Sequence, residues 1–356
     1  MTTTLLIPAA GQSSRFGNLR PKFLLQHPKG MSMLEASLMT FEKSKGYGID
    51  NILIVSQERF FEGMNVAQLI ESIETKLNLP TEILLLNSDT KSMVETILQG
   101  IYSLDEDCEL IVKDCDNHVL VDPKLFNISN NCLAYADLAQ QKDVAAANKS
   151  FIKISDESRI TMIVEKKIIS PYINLGLVKF ESSSLFVAAS RKNINTNHHF
   201  VSDVVRAAID MGNDFEAIQA EEYEDWGTLE DWLKYVDSFK TLFLDLDGVL
   251  VKNANPLSET NNWSNFEPLM LNCNFIKNLS DLGRTKIVVT TSRDHAHREA
   301  ILNFIANLGL KDVELITGLP HAKRILINDF AESLPFPTAI GLSVPRNSDN
   351  LEDYLG

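Results

Sequence analysis

Cysteine is scarce in this chain of 356 residues, and its four cysteines form no CxxC pair. Disulfide frameworks and structural zinc sites depend on closely spaced cysteines, so the spacing argues against both. Isolated, reduced thiols are typical of a cytoplasmic protein. The four residues are Cys108, Cys115, Cys132 and Cys273.

Long apolar runs and an excess of positive charge are also missing. No apolar run reaches the ~18 residues of a membrane-spanning helix, so we expect no membrane partner. The N-terminus lacks the basic flank and the long apolar segment of a signal peptide. The formal net charge of -15 argues against a nucleic-acid partner, because nucleic-acid binders need a basic face. A small anionic substrate stays compatible with this charge, since local cations can dominate a cleft.

The first part of the chain alternates short strand-like runs with helical patterns, which is typical of a parallel α/β sheet. Shorter strand-like runs in the middle indicate a mixed extension of that sheet. We therefore predict a Rossmann-like domain with a mixed sheet over residues 1–237. Its strand candidates are Thr4–Ile7, Asn51–Val55, Glu82–Leu86, Glu109–Lys113, Ile160–Val164 and Leu175–Phe180. Its helix candidates are Met33–Phe41, Ala67–Leu77, Val94–Leu104 and 199–211.

The pattern restarts near residue 240 and predicts a second, smaller Rossmann-like α/β domain over residues 238–356. A chain of this length exceeds one typical core, which also favours two domains. The strand candidates are Lys240–Leu244, Lys286–Thr290, Val313–Ile316, Arg324–Ile327 and Thr338–Leu342. The helix candidates are 268–282 and 295–308.

The loop after the first strand carries small residues followed by two cations. Gly11 and the two serines after Gln12 permit close backbone approach to a ligand. Arg15 can fork onto phosphate oxygens, and Lys22 supplies a point charge. These residues predict a phosphate-binding loop. A solvated loop with two surface cations explains the same residues equally well.

The order of several motifs distinguishes these alternatives. The stretch PAAGQSSRFG, followed by PKFLL, resembles the A-A-G-x-G-[ST]-R signature of nucleotidyltransferases that join a nucleoside triphosphate to a sugar phosphate. Ser13 stands where the second glycine is usual. The later stretches IVKDCDNHV, VEKK, INLGLVKF and EDWGT begin at residues 111, 164, 173 and 224 and resemble further motifs of that family, in order.

The resemblance implies a nucleoside triphosphate and a phosphorylated sugar or polyol as partners, with Mg²⁺ as cofactor. Asp116 and Asp225 would hold the Mg²⁺. Arg15 would stabilise the departing pyrophosphate, and Lys22 would lie near the α-phosphate. The nucleotide-binding residues would be Ala9, Ala10, Gly11, Gln12, Ser13 and Ser14. The acceptor-binding residues would be Glu165, Lys166, Asn174 and Gly176.

A second set of motifs begins with FLDLDGVLV at 243–251. The period of two in a strand places Asp245 and Asp247 on the same side of a strand end, where they repel unless a cation or a proton lies between them. A strand-to-turn transition, where Asp and Gly are common, explains this pair alone. VVTTSRD and AKRILINDF follow at 288 and 322. The ordered set resembles the haloacid dehalogenase superfamily, most of whose members are phosphatases.

This second resemblance implies a Mg²⁺-dependent phosphatase. Asp245 would be the nucleophile that forms an aspartyl-phosphate, and Asp247 the general acid and base. Thr291 and Lys323 would hold the phosphoryl group, and Asp329 would complete the Mg²⁺ site with Asp245 and the carbonyl of Asp247. The short segment between the first two motifs leaves no room for a large cap. The domain is therefore similar to capless phosphatases of capsule-polysaccharide pathways.

Together the motifs predict a bifunctional enzyme of activated-sugar or polyol synthesis for surface glycans. Two alternatives stay open: an active transferase with a non-catalytic, phosphatase-like domain, and a nucleotide-binding regulatory protein with neither activity. The sequence leaves the base, the acceptor and the order of the two reactions open. It is compatible with a homo-oligomer.

Overall fold

The computed structural model describes residues 1–17, 21–141, 146–192, 200–254, 257, 263, 266–329 and 338–355. The chain divides into two compact units, Met1–Tyr235 and Val236–Gly356. In the described ranges, no helix is both long and apolar enough to cross a membrane.

The strands and helices of the first unit lie where the sequence pattern predicts them, with additional short elements between them. The strands are β1 Thr3–Ala9, β2 Asn51–Gln57, β3 Thr81–Leu86, β4 Glu109–Lys113, β5 Asn117–Leu120, β6 Cys132–Asp137, β7 Ser150–Ile154, β8 Ile160–Glu165, β9 Tyr172–Phe180, β10 Glu216–Gln219 and β11 Glu222–Asp225. The helices are α1 Met33–Leu38, α2 Val66–Leu77, α3 Met93–Tyr102, α4 Pro123–Ile128, α5 Ser183–Lys192, α6 Val201–Asp210 and α7 Leu229–Asp237, the last of which ends two residues beyond the boundary of the unit.

The large sheet of this unit is mixed, which confirms that prediction. Its strand order is β10-β6-β9-β4-β1-β2-β3, with β7 and β8 attached beside β9. Strand β1 pairs in parallel with β2 on one side and with β4 on the other. The chain therefore places β2 and β3 on one side of β1 and then crosses to place β4 on the other side. In open α/β sheets, the carboxyl ends of strands at such a switch point form a ligand-binding crevice.

Two apolar clusters cover the two faces of this sheet. Leu5 and Ile7 of β1 belong to one cluster, and Leu6 between them belongs to the other, as the period of two requires. Helix α3 packs closely on the second face at Gly100. A Cβ atom there would lie 2.7 Å from Val55 Cγ2 and 2.8 Å from Leu6 Cδ1. Helix α3 can therefore approach β1 and β2 this closely only because it carries a glycine at the contact.

Helix α1 begins with a buried carboxylate that joins it to α2. Ser32 and Glu35 form a reciprocal capping box at its N-terminus. Glu35 Oε1 also accepts hydrogen bonds from Ser72 Oγ and Lys76 Nζ, each at 2.6 Å. Burial would raise the pKa of Glu35, but the hydrogen bonds from Lys76, Ser72 and Ser32 outweigh it and lower the pKa to about 2.

We expect this carboxylate to make the stability of the first unit depend on pH. A folded-state pKa of about 2, below the usual 4.5, means that stabilisation is complete above pH 4.5 and is lost as the pH falls towards 2. Glu35→Gln should lower the free energy of unfolding by about 2 kcal/mol at pH 7, and this difference should shrink below pH 4.5. Urea unfolding at several pH values measures it. Glu71→Gln, the same change at an exposed site on α2, is the control. Parallel pH profiles for wild type and Glu35→Gln would contradict the expectation.

The second unit is a smaller α/β arrangement. Its elements are β12 Lys240–Asp245, α8 Met270–Asp281, β13 Thr285–Thr290, α9 Arg298–Asn307, β14 Glu314–Ile316 and α10 Glu352–Leu355. Strands β12, β13 and β14 pair in parallel in that order. The structure therefore confirms the predicted strand–helix alternation up to β14. The likeness of this unit to the haloacid dehalogenase superfamily stays a prediction.

Two strand predictions in this unit are wrong. Residues 324–327 and 338–342 lie in described parts of the chain and form no strand there. Their apolar side chains are exposed: Ile325 by 75%, Ile327 by 88% and Ile340 by 71%. An apolar segment forms a strand only if a neighbouring strand supplies hydrogen-bond partners and helps to bury its side chains. The described residues place no such neighbour beside either segment.

Candidate active site

The first unit contains a cleft of about 800 Å³ into which the carboxyl ends of β1 and β4 lead. The structure brings together in this cleft every residue of the first domain for which the sequence predicts a site role. They are Ala9, Ala10, Gly11, Gln12, Ser13, Ser14, Arg15, Lys22, Asp116, Glu165, Lys166, Asn174, Gly176 and Asp225. Although these residues come from distant parts of the chain, they all line the same cleft.

The loop after β1 is held in shape by the residue that departs from the usual signature. Ser13 has a φ of 51°, in the left-handed region where glycine is favoured. Its Oγ accepts a hydrogen bond of 3.0 Å from the backbone N–H of Lys22. Phe16 is buried and anchors the end of the loop, whereas Arg15 is exposed towards the cleft. The serine thus keeps the glycine-like conformation and adds a bond that fixes the start of the Lys22 segment.

The chain bends sharply after β4, and a buried lysine holds the bend. Lys113 is fully buried, and its Nζ donates to the backbone oxygens of Asp114, at 2.7 Å, and of Asn117, at 2.9 Å. It also donates to Asn117 Oδ1. The Asn117 amide in turn donates to the carbonyl of Leu175 on β9, at 2.7 Å. These bonds fix the residues between β4 and β5, Asp116 among them.

Asp116 and Asp225 meet through a short antiparallel pairing of β5 with β11. Asn117, next to Asp116, pairs directly with Asp225. The backbone N–H of Trp226 donates to the Asp116 carbonyl at 2.9 Å. A Cβ atom on Gly227 would lie 3.1 Å from Asp225 Oδ1 and 3.4 Å from Asp116 Oδ2. The two carboxylates therefore point towards the same small space.

Each of these carboxylates is paired with a lysine. Lys22 Nζ contacts Asp116 Oδ2, and Lys149 Nζ lies 2.6 Å from Asp225 Oδ2. Burial would raise the pKa of Asp116, but the Lys22 ammonium outweighs it and holds that pKa below its usual range. The pKa of Asp114 moves the opposite way, because enclosure and the nearby Asp116 charge both disfavour its ionised form. Asp116 is therefore the ionised carboxylate at the end of β4.

The pair of carboxylates fits a Mg²⁺ ion that completes its shell with substrate phosphates and water. Mg²⁺ is usually held by one or two protein carboxylates together with phosphate oxygens. Among the described residues, no group of three or more His, Cys, Asp or Glu side chains is placed to hold a metal by itself. The two carboxylates would thus depend on a phosphate-bearing ligand to complete the shell.

The opposite wall of the cleft carries the residues predicted to bind the acceptor. Glu165 accepts hydrogen bonds from Ser150 Oγ and, at 2.9 Å, from Ser202 Oγ. The Lys166 ammonium lies 4.6 Å from the centre of the Phe200 ring. This wall therefore combines a cation with a carboxylate whose orientation is fixed by two hydroxyl groups.

Gly176 allows β9 to pass directly over Asp114. Its φ is 69°, and a Cβ atom would lie 2.0 Å from Asp114 Oδ2. Asn174 Oδ1 accepts from the Gly176 N–H at 3.0 Å, and the Gly176 carbonyl accepts from the Asp114 N–H at 2.8 Å. Any side chain at this position must displace the carboxylate of Asp114.

Gly176→Ala should therefore lower the free energy of unfolding by more than the backbone strain of a left-handed alanine alone would. We expect a loss of about 2 kcal/mol in the free energy of unfolding, from backbone strain together with displacement of Asp114. Gly46→Ala is the matched control, because Gly46 has a φ of 79° with nothing within 4 Å of the added carbon. It should lose about 1 kcal/mol. Equal losses in urea unfolding would show that the contact with Asp114 adds no cost.

Solved structures of known proteins share this architecture. The nucleoside-diphosphate-sugar pyrophosphorylase of Vibrio cholerae RC9 is 19% identical, with a TM-score of 0.56 over 65% of this chain and 99% of that chain. The inositol-1-phosphate CTP transferase of T. maritima is 13% identical, with a TM-score of 0.51 over 65% and 91%. A proposed glucose-1-phosphate thymidylyltransferase of Bacillus anthracis is 15% identical, with a TM-score of 0.53 over 67% and 94%. The chain has the fold of these proteins over about two thirds of its length.

The matched share equals the size of the first unit, which holds 235 of the 356 residues. No protein-family model and no curated protein sequence matches the chain. The comparisons thus confirm the nucleotidyltransferase-like fold that the motifs predict. They do not assign a role to any individual residue of the cleft.

Sequence reasoning missed several residues of this cleft. Lys149, Ser150 and Ser202 line it and bond to residues that the motifs identify. Ser202 lies on the predicted helix 199–211, but nothing in the helical pattern marks it. Lys149 precedes β7 in a stretch without a motif, so its pairing with Asp225 appears only in the structure.

The second unit brings together three of its predicted residues. Asp245 is exposed at the end of β12, and Asp247 follows two residues later. Asp247 accepts from Thr291 Oγ1 at 3.2 Å and from Arg293 at 3.0 Å (Nε) and 2.7 Å (Nη2). Arg293 is fully buried, and sequence reasoning gave it no role although it belongs to the quoted VVTTSRD stretch. Although the residue is exposed, partial desolvation of its carboxyl group and the neighbouring Asp247 raise the pKa of Asp245.

The remaining two residues lie on a segment without regular structure. Lys323 and Asp329 are both exposed there. Within the described ranges, Asp329 does not group with Asp245 and Asp247 as a metal site. Their predicted roles, phosphoryl binding and Mg²⁺ binding, stay predictions.

Proposed function

We propose that the first unit transfers a nucleotidyl group from a nucleoside triphosphate to the phosphate of a sugar or polyol phosphate, with release of pyrophosphate. The observation that carries this proposal is the meeting of the Arg15 loop, Lys22, Asp116 and Asp225 in one cleft at the switch point of the sheet. The fold is shared with proteins whose names describe a pyrophosphorylase and nucleotide transferases acting on phosphorylated sugars or inositol.

The chemistry needs positioning and charge rather than a protein nucleophile. An oxygen of the acceptor phosphate attacks the α-phosphorus, forms the new P–O bond and expels pyrophosphate as the bond to the bridging oxygen breaks. Holding two anions together is the main difficulty, so the cations of the cleft provide most of the catalysis. Arg15 neutralises the departing pyrophosphate, and Lys22 neutralises charge at the α-phosphate.

Mg²⁺ would be held by Asp116 and Asp225, whose oxygens point towards the same space. When bound, the ion supplies positive charge to the triphosphate oxygens. Lys22 keeps Asp116 ionised, which is the form of a carboxylate that binds a cation. The acceptor would lie against the wall formed by Glu165 and Lys166, with its phosphate near the Lys166 ammonium.

A matrix of triphosphates against sugar and polyol phosphates tests this function. Pyrophosphate release is measured for each of the common bases with each acceptor, with and without Mg²⁺. We expect Mg²⁺-dependent release with one base far above the others, and only in the presence of an acceptor. No release in any combination, with triphosphate binding retained, would instead favour a nucleotide-binding regulatory protein.

For the second unit we infer a phosphatase that acts on a phosphorylated metabolite of the same pathway of surface-glycan synthesis. The supporting observation is the pairing of an exposed Asp245 with an Asp247 that is oriented by Thr291 and Arg293. The Asp245 carboxylate attacks the phosphorus, and the ester oxygen leaves with a proton from Asp247. Water then hydrolyses the aspartyl-phosphate and returns a proton to Asp247. Phosphate release from sugar or polyol phosphates by the full chain tests this activity.

A further inference from the structure

The cleft contains two lysine–carboxylate pairs, and only one of the lysines belongs to a recognised motif. Lys22 pairs with Asp116, and Lys149 pairs with Asp225 at 2.6 Å. Both pairs are largely enclosed: the side chains of Lys149 and Asp225 are 16% and 12% exposed, and those of Lys22 and Asp116 are 24% and 15% exposed. The proposed cation site therefore has an ammonium group against each of its carboxylates.

Lys149 is held towards Asp225 from two sides. Its Nζ donates to the hydroxyl of Tyr223 at 2.7 Å, and Tyr223 lies on β11 two residues before Asp225. Its backbone carbonyl accepts from the N–H of Lys166 at 3.0 Å. Lys149 thus connects the carboxylate of Asp225 with the wall that carries Glu165 and Lys166.

An ammonium group at this distance competes with a divalent cation for the same carboxylate. Asp225 Oδ2 contacts Lys149, while Oδ1 accepts from the Gly227 N–H at 3.1 Å beside the space that it shares with Asp116. Opposite charges in an enclosed site interact strongly, and a nearby positive charge weakens the binding of a second cation. A cation that binds Asp225 weakens the ion pair between Asp225 and Lys149. Phosphate oxygens of a substrate in the cleft can then accept hydrogen bonds from the Lys149 ammonium.

We propose that Lys149 is a further catalytic residue, which pairs with Asp225 before the substrates bind and moves to the acceptor phosphate when the divalent cation and the triphosphate bind. Its position between Asp225 and the acceptor wall selects the acceptor phosphate rather than the pyrophosphate end near Arg15. The inference rests on the proposed transferase function for its acceptor, but not for the competition between lysine and cation.

Mn²⁺ titration of the nucleotide-free full chain tests the competition directly. Free Mn²⁺ is followed by electron paramagnetic resonance in wild type, Lys149→Met and Lys153→Met. We expect Lys149→Met to bind Mn²⁺ ~10-fold more tightly, because a positive charge beside Asp225 is removed. Lys153→Met is the matched control: it makes the same substitution at an exposed site on β7 outside the cleft, and it should change the affinity less than ~2-fold. If Lys149→Met fails to fold, Lys149→Gln serves in its place.

Steady-state kinetics of the same variants tests the second half of the proposal. Lys149→Met should raise the KM for the acceptor phosphate and lower kcat, and leave the KM for the triphosphate within ~2-fold. Unchanged or weaker Mn²⁺ binding in a folded Lys149 variant would overturn the competition. Unchanged acceptor KM, in a variant with tighter Mn²⁺ binding, would overturn the move to the acceptor. Absence of pyrophosphate release from wild type with every substrate would reject the transferase function and leave the Mn²⁺ result to decide the competition.

Discussion

Asp116→Asn is expected to slow nucleotidyl transfer by at least ~100-fold, the range typical of removing a preorganised charge from an enclosed site. The side chain keeps its size and its place in the bend between β4 and β5, so the fold should persist. What disappears is the negative charge that faces Asp225 and pairs with Lys22. Pyrophosphate release at saturating substrates measures the effect, and urea unfolding checks the fold.

Asp122→Asn provides the control for this change. Asp122 caps the N-terminus of α4 by accepting from the Lys124 N–H at 2.8 Å, and asparagine serves that role nearly as well. It is the same substitution in the same unit, and it should leave transfer within ~2-fold of wild type. Near-normal turnover of a folded Asp116→Asn enzyme in Mg²⁺ would exclude Asp116 as a cation-binding residue.

Asp245→Asn is expected to reduce phosphate release by at least ~1000-fold, as loss of a covalent nucleophile does, and to spare pyrophosphate release. The physical reason is that the two proposed sites share no residue and belong to separate compact units. Asp245 is exposed at the end of β12, so an isosteric change there should leave the unit folded. Both products are measured on the same preparation, with urea unfolding of each variant as the check on folding.

Asp116→Asn is the reciprocal control for this second experiment. It should lose pyrophosphate release and keep phosphate release. If either variant lost both activities while it stayed folded, the two sites would depend on each other and the proposed separation would be wrong. Absence of phosphate release from wild type with every sugar and polyol phosphate would favour the alternative in which the second unit is a non-catalytic scaffold.

The local sequence predicted those parts of the site in which the polar side chains come directly after a strand. The loop after β1 and the Asp116 segment after β4 are such cases, because an apolar strand fixes where the next polar residues emerge. Gly176 was predicted to contact the acceptor; the structure adds that its lack of a side chain makes room for Asp114. Ser13 keeps the left-handed backbone expected of the glycine it replaces.

The sequence could not predict features that depend on a partner far away along the chain. Lys149 lies in no motif, and its role follows only from β11 passing beside it. Residues 324–327 have the composition of a buried strand, yet a strand requires a neighbour, and composition does not supply one. Buried Arg293 is a similar case, since its partner Asp247 lies on a different strand end.

The pairing of β5 with β11 has a consequence for the order in which the first unit forms. It consists of four residue pairs in a sheet of two strands, and a ladder of that size has little stability of its own. Its strands are about a hundred residues apart, so closing this loop costs conformational entropy that the central sheet must first offset. We therefore expect Asp225 to join Asp116 late in folding. A brief local opening of the ladder would separate the two carboxylates while the central sheet stays intact, so a molecule that is folded by every global measure would lack the proposed cation site.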